Sequence, residues 1–446
     1  MKEVKSTSRK SNKVPSGRLS RFAKVAGLAG GLAGGMLAQG ARQIRAGESL
    51  KTSDLLLTPA NAKRVADQLA NMRGAAMKLG QILSMDTGDF LPPEWTQVLS
   101  RLRSDADPMP IKQLEAQLVD ALGDEWQEHF YNFQFQPMAA ASIGQVHHAL
   151  GPAGRPVAIK IQYPGVATSI DSDVDNIASV LRMSGIIPDG FDLNSILGEV
   201  KEQLHEEADY RAEAAYLSEY KENLGDDDRF EVPDFYPELS SQSVLCMGFV
   251  EGHPIETLEE ESQDERNRAM GVMVELMFAE LFEWRMVQTD PNFANYLYRP
   301  DDGKIVLLDF GATRRFKASF VNQYKSLAKA AIGGNRSRLR SAAIKLGYLD
   351  EQQADDDIAD MIMDVFMIGA EPLLENAPYD FGHSDLGVRM QEIGMLMQEK
   401  MAETDVSWHS PPVDAMYFHR KIAGMFMLAT RLNAHVNVRA VINKYI

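Results

Sequence analysis

Two carboxylates and an amide stand out by type and spacing. In the run Gln288-Thr289-Asp290-Pro291-Asn292-Phe293-Ala294-Asn295, Asp290 and Asn295 are five positions apart. An apolar run, Ile305-Val306-Leu307-Leu308, reads as a buried strand leading into Asp309-Phe310-Gly311. Asp309 and Asn295 offer hard oxygens, which suit Mg2+ or Mn2+ and not zinc. Asp290 can then orient or deprotonate an attacking hydroxyl or water. Such a set serves phosphoryl chemistry. A lone Asp-Phe-Gly is weak evidence, so the weight falls on the order of several residues along the chain.

That chemistry needs a cation and a backbone loop for the phosphates. Residues 131–163 read as strands, with Phe133 and Phe135 alternating with Gln134 and Gln136. Within them, Ala139-Ala140-Ala141-Ser142-Ile143-Gly144 reads as a small-residue loop. A turn at Gly151-Pro152-Ala153-Gly154 precedes Val157-Ala158-Ile159-Lys160-Ile161. Strand, loop, strand, turn and a strand ending in Val-Ala-Ile-Lys is the order of a protein-kinase amino-terminal lobe. The loop departs from that pattern, because alanines stand where glycines would. Each added methyl restricts how closely the backbone N–H groups reach phosphate. Gln288-Thr289 also replaces the usual His-Arg before the catalytic Asp. Both departures argue against ordinary transfer to a protein hydroxyl.

Other elements must position these groups. Ile196 to Asn223 reads as one long acidic helix containing Glu207, Asp209 and Glu213. A kinase-like lobe needs one helical carboxylate to hold Lys160, and the residues alone leave the choice among these acids open. Upstream, Leu69, Met72, Ala76, Leu79, Ile82 and Leu83 recur at helical steps. On that helix Lys78 and Gln81 project to one side, and Gly80 allows close backbone approach. Ser243 to Gly252 reads as a buried strand and linker, with Cys246 a small core residue. Residues 316–446 read as helical. His419-Arg420-Lys421 is expected to begin a late amphipathic helix, with His419 as a packing residue.

The chain has 446 residues, which suits two or three packed units rather than one small core. It is 45% hydrophobic and 24% charged, which excludes disorder throughout. A single cysteine excludes an intramolecular disulfide and fits a reducing compartment. The formal net charge is −17, yet residues 1–46 carry ten Lys or Arg against one acid, Glu3. An acidic body does not bind nucleic acid by general electrostatics, so none is expected as a partner. The basic head suits an anionic membrane surface. Its uncharged stretch, 25–41, is too short and glycine-rich for a confident spanning helix. Gly27, Gly31 and Gly35 would share a face and admit a second helix. A mitochondrial transit peptide and a flexible basic tail are rival readings of the same segment.

Together these residues resemble the UbiB-type atypical kinase family. The resemblance rests on Lys78-Leu79-Gly80-Gln81, Ala139 to Gly144, Glu207-Ala208-Asp209, Gln288 to Asn295 and Asp309-Phe310-Gly311, in that order. It extends through His419-Arg420-Lys421 and so covers nearly all of the chain beyond the basic head. The resemblance implies an α+β, bilobal protein-kinase-like fold, with a helical N-terminal extension packed over the active site and a largely helical C-lobe. The expected domains are the basic tail 1–46, the extension 47–130, the N-lobe 131–250 and the C-lobe 251–446. The resemblance implies nucleotide binding by Ala139, Ala140, Ala141, Ser142, Lys160 and Glu213, and selects Glu213 as the partner of Lys160. Lys78, Gln81, Glu207 and Asp209 would cover the site, Asp290 would be catalytic, and Asn295 and Asp309 would hold the metal. ATP or ADP with Mg2+ or Mn2+ are the implied cofactors.

The implied activity is an ATPase or small-molecule kinase supporting ubiquinone (coenzyme Q) biosynthesis at a membrane. Membrane lipids or quinone-biosynthesis enzymes are the expected partners, and a homodimer is a further expectation. The expected location is the cytoplasmic face of a bacterial inner membrane, with the matrix face of the mitochondrial inner membrane as the alternative. A nucleotide-gated scaffold organising a biosynthetic complex is the second functional reading. A protein kinase acting in trans is the third, and both the alanine loop and the Lys78 helix argue against it.

Overall fold

Alternation along one strand, Pro156–Gln162, divides its side chains between two faces. Val157, Ile159 and Ile161 lie on one face and are fully buried. Lys160 and Gln162 lie on the other and are also buried, although polar. The first face builds a core and the second builds a site. This computed structural model describes residues 74–75, 78–79, 108–184, 193–349, 356–403 and 412–446. The chain divides into two compact units: Met1–Ala215 with Asp234–Phe249, and Tyr216–Pro233 with Val250–Ile446.

In chain order, helix α1 (Ile111–Leu122) precedes strands β1 (Ala139–Ala140), β2 (Gly144–Leu150) and β3 (Pro156–Gln162). Helices α2 (Val166–Ser184), α3 (Leu193–Glu207) and α4 (Tyr210–Leu224) follow, then β4 (Phe230–Glu231), β5 (Val244–Gly248) and β6 (His253–Pro254). Helix α5 (Gln263–Ala279) leads to β7 (Met286–Gln288), β8 (Tyr296–Arg299), β9 (Lys304–Leu307) and β10 (Thr313–Arg315). The remainder is α6 (Ala318–Ile332), α7 (Arg336–Leu346), α8 (Asp356–Gly369), β11 (Tyr379–Asp380), α9 (Leu386–Glu403), α10 (Val413–Arg431), β12 (His435–Val436) and α11 (Val438–Ile442).

In the first unit, β1, β2, β3 and β5 form an antiparallel sheet in that order. Its core face packs Val157, Ile159, Ile161, Val244 and Cys246 against Leu114 and Leu118 of α1, with Trp126 and Phe130. Each such aliphatic side chain contributes about 2 kcal/mol by leaving water. Burial, with Glu238 nearby, pushes the Cys246 thiol up to about 12.

Two expectations need correcting here. Residues 131–138 do not form a regular strand. Their N–H groups reach β2 only at Tyr131, Gln134 and Met138, at 2.7, 2.8 and 2.8 Å. The Phe133 ring instead packs among Trp126, Phe130, Phe135 and His147, with centroids 5.2–6.1 Å apart. Alternating aromatics here build a cluster rather than a ladder. The acidic stretch is also two helices, α3 and α4, broken at Ala208-Asp209. The Asp209 side chain accepts from the N–H groups of Arg211 and Ala212 at 3.1 and 3.2 Å. An aspartate that caps the next helix this way ends the previous one.

In the second unit, β4, β9, β8 and β6 form a sheet in that order, with only the β4–β9 pair parallel. Strands β7 and β10 form a separate antiparallel ribbon. Helix α5 is buried along most of its length and widens into a π turn at Glu280–Trp284. Arg285 ends it with a left-handed φ of 53°. The later segment is mostly helical but includes the β11–β12 pair. His419-Arg420-Lys421 lies inside α10 rather than at its start, because the helix begins six residues earlier at Val413, directly after Pro412.

Candidate functional site

The polar face of β3 meets α4. Lys160 Nζ donates to Glu213 Oε1 at 2.5 Å, and both side chains are buried. Glu213 lies in the first turn of α4, where the helix dipole favours a carboxylate. Asp209 caps that turn, and its carbonyl accepts from the Glu213 N–H at 3.1 Å. Two residues further along the strand, Gln162 Nε2 donates to the carbonyl of Ala208 at 2.8 Å. Strand β3 is thereby tied to the break between α3 and α4.

The alanine loop has its own anchor. Ala139 and Ala140 pair with Val146 and Gln145, and Ala141 N–H closes the turn on the Gly144 carbonyl at 3.0 Å. A Cβ on Gly144 would run into the Ile161 carbonyl, so only glycine admits this close strand contact. Ser142 Oγ donates to Glu207 Oε2. Lys78 Nζ lies 2.6 Å from Glu207 Oε1, with no solvent exposure of the lysine. Glu207 thus joins the helix carrying Lys78 to the loop. A Cβ on Gly74 would stand 3.0 Å from the Ser142 carbonyl, so the chain at Gly74 also lies close against that loop. Gln81 lies outside the described residues.

In the second unit, two ladders converge at their ends. Strands β7 and β10 pair Gln288 with Thr313, and Thr289 N–H continues the ladder onto the Ala312 carbonyl at 3.1 Å. Asp290 and Gly311 come next. Strands β8 and β9 pair Tyr296 with Leu307, and Leu308 N–H donates to the Asn295 carbonyl at 3.0 Å. Asp309 comes next. The segments 290–295 and 308–311 are therefore held beside each other by backbone pairing. Within them, Asp290 accepts from the Asn292 N–H at 3.3 Å and Asp309 from the Gly311 N–H at 3.0 Å. Asn295 is buried, and its side-chain nitrogen has no hydrogen-bond partner among the described residues.

Several buried polar residues carried no motif signal. Gln145 accepts from Met109 N–H at 2.9 Å and contacts His147 Nε2 at 2.7 Å. The other ring nitrogen of His147 lies 2.8 Å from the Gln134 carbonyl. Burial lowers the imidazole pKa, against the opposing effect of that carbonyl. In the second unit, Tyr220, Glu280, Tyr296 and Lys421 are buried together. The available clue was polarity at positions that periodicity assigns to the interior, which by itself names no partner.

The chain is similar to several known proteins. Residues 101–343 match the ABC1 atypical kinase-like domain. The chain is 39% identical over 433 residues to the protein named atypical kinase coq-8, mitochondrial, of Caenorhabditis elegans, covering 95% of this chain and 56% of that one. It is 39% identical over 430 residues to the mitochondrial atypical kinase COQ8B of Rattus norvegicus, covering 96% of this chain and 80% of that one. The mitochondrial atypical kinase COQ8 of Saccharomyces cerevisiae is 35% identical over 438 residues, covering 98% and 86%. Among solved structures, Rv3197 of Mycobacterium tuberculosis, in complex with erythromycin, matches with a TM-score of 0.59 at 25% identity, covering 86% of this chain and 96% of that one. The order of the site residues and these near full-length similarities agree, and the chain belongs to the ABC1, or UbiB-type, family of atypical kinases.

Proposed function

We propose that this protein is a COQ8-like atypical kinase with ATPase activity that supports coenzyme Q biosynthesis at a membrane. The observation that carries the reading is the buried Lys160–Glu213 pair at 2.5 Å. A lysine held on the polar face of a sheet by one helical carboxylate is placed to neutralise phosphate. Lys160 binds, Glu213 orients it, and Asp290 positions a hydroxyl or water and takes its proton.

Mg2+ fits the second set. Among the described residues no group of three or more His, Cys, Asp or Glu is placed to hold a metal ion. Asp309 and Asn295 would hold it through two hard oxygens, with phosphate oxygens and water as further ligands. Among the described residues the Asn295 nitrogen makes no hydrogen bond that commits the amide to a structural role. When bound, Mg2+ neutralises charge on the phosphates.

The bilobal kinase arrangement, with the Lys78 helix as a cover, belongs to the same reading. Lys78, Glu207 and Ser142 tie that helix to the alanine loop. A helix fixed there leaves room for water or a small molecule as acceptor and obstructs a peptide. No helix among the described residues is long and apolar enough to cross a membrane. The basic residues of 1–46 supply the attraction to anionic lipid.

The test is ATP hydrolysis with Mg2+, with and without anionic liposomes. Wild type is expected to turn over and to respond to lipid. Chelation of the metal and Asp309→Asn each abolish turnover. Unchanged hydrolysis in Asp309→Asn overturns the mechanism. A quinone-lipid profile of a deletion strain, complemented with wild type and with Asp309→Asn, tests the biosynthetic role.

A further inference from the structure

The N–H groups along β7 alternate in direction. That of Thr289 turns toward β10 and meets the Ala312 carbonyl. That of Gln288 turns away, and among the described residues β7 pairs with no strand other than β10. A side chain takes the place of the missing strand: the Gln288 N–H donates to the Tyr220 hydroxyl at 2.7 Å. The same hydroxyl donates to Glu280 Oε1 at 2.8 Å. The Tyr220 ring packs on Phe310, the residue after Asp309, with centroids 4.8 Å apart, and on Trp284 at 5.5 Å.

Glu280 is itself held. Lys421 Nζ lies 3.3 Å from Glu280 Oε2 and donates to the Tyr296 hydroxyl at 2.9 Å. Tyr296 follows Asn295 directly. Lys421, Glu280 and Tyr220 are each only 1% exposed. Burial lowers the pKa of Lys421, but Glu280 and Tyr296 outweigh it and keep the amine charged. A buried ion pair contributes little net stability compared with well-packed apolar residues. Stability is therefore a poor reason for this chain of groups, and its ends point to a better one. One end grips the backbone two residues before Asp290, and the other touches the residue after Asn295.

We propose that Tyr220, held by Glu280 and Lys421, is a positioning residue that fixes the loop 288–295 and the Phe310 turn for the reaction at Asp290. Its kinetic consequence rests on the ATPase reading above; its structural consequence does not. Tyr220→Phe removes the hydroxyl and keeps the ring on Phe310 and Trp284. Two measurements are made on the full chain: ATP turnover, and hydrogen–deuterium exchange across residues 286–295.

The expected result is a fall in kcat of about tenfold, with KM for ATP within about twofold of wild type. Exchange across 286–295 rises in the same variant. Lys421→Met shares both effects, and Lys421→Arg recovers most of the turnover. A purely structural role would move the melting temperature and leave kcat of the folded protein alone. Turnover within twofold of wild type overturns the proposal, as does a lower kcat with unchanged exchange. If wild type hydrolyses no ATP while exchange still rises in Tyr220→Phe, the positioning role stands and the ATPase reading fails.

Discussion

The fully buried ammonium of Lys78 lies 2.6 Å from the Glu207 carboxylate. Glu207 also accepts from Ser142 in the alanine loop. Removing the cation leaves a carboxylate that is only 12% exposed, with its compensation reduced. Lys78→Met should therefore cost about 3 kcal/mol in denaturant unfolding. Lys78→Met with Glu207→Gln should recover more than about half of that, because no uncompensated charge stays behind. Additive losses in the double variant would show that the pair is not coupled.

Gly424 of α10 lies against the proline that follows the proposed base. A Cβ on Gly424 would press into Pro291 Cβ and stand 3.2 Å from its Cα. Gly424→Ala should shift Pro291, and with it Asp290, by a few tenths of an ångström. The expected outcome is a loss of kcat of about tenfold with ATP affinity unchanged. Steady-state kinetics beside a nucleotide-binding titration check it. An equal loss in both would place the damage in general packing.

The enzyme and scaffold readings separate on two substitutions. Asp290→Asn should lower turnover about 100-fold while ATP binding stays within about twofold. Lys160→Ala should weaken ATP binding about tenfold or more, because it removes the cation for phosphate and takes its charge from beside buried Glu213. In a complemented deletion strain the enzyme reading expects both variants to fail in quinone synthesis. Rescue by Asp290→Asn but not by Lys160→Ala would establish the scaffold.

His419 supplies a pH dependence. Its side chain is half-buried, its Nε2 lies 3.0 Å from the Tyr348 hydroxyl, and desolvation lowers its pKa to about 4. The unfolded chain protonates this ring near 6.5, and the folded chain does so only near 4. The stabilisation is thus complete above about 6.5 and is lost as pH falls toward about 4. Wild type should lose about 2 kcal/mol between pH 7 and 5 that His419→Gln does not. His147, also lowered by burial, adds in the same direction. Unfolding curves for wild type and variant at both pH values check this. Parallel pH profiles would mean that His419 titrates normally.

Much was legible in one dimension. Val157, Ile159 and Ile161 alternate, so β3 and its buried face could be read from period alone. The spacing from Asp290 to Asn295 marked a set for phosphoryl chemistry, and the apolar run before Asp309 marked the strand that leads into it. Helix phase was not legible. A continuous helix through 196–223 would put Asp209 and Glu213 on one face, but the break at Ala208-Asp209 resets the rotation between α3 and α4. Composition around the break is uniformly acidic, and a cap forms only where the chain turns.

Residue types and their order along the chain determined which chemistry is available: a lysine, a base, two hard-oxygen donors and the strands that carry them. Tertiary structure decided the partners. Glu213 meets Lys160, Glu207 meets Lys78 and Ser142, and Asp209 caps a helix. It also decided that Tyr220, Glu280 and Lys421 stand together behind the loop. The reason is that charge and hydrogen bonding act over a few ångströms of space. Three neighbouring acids of one composition are interchangeable until folding sets which face each of them presents and what lies opposite.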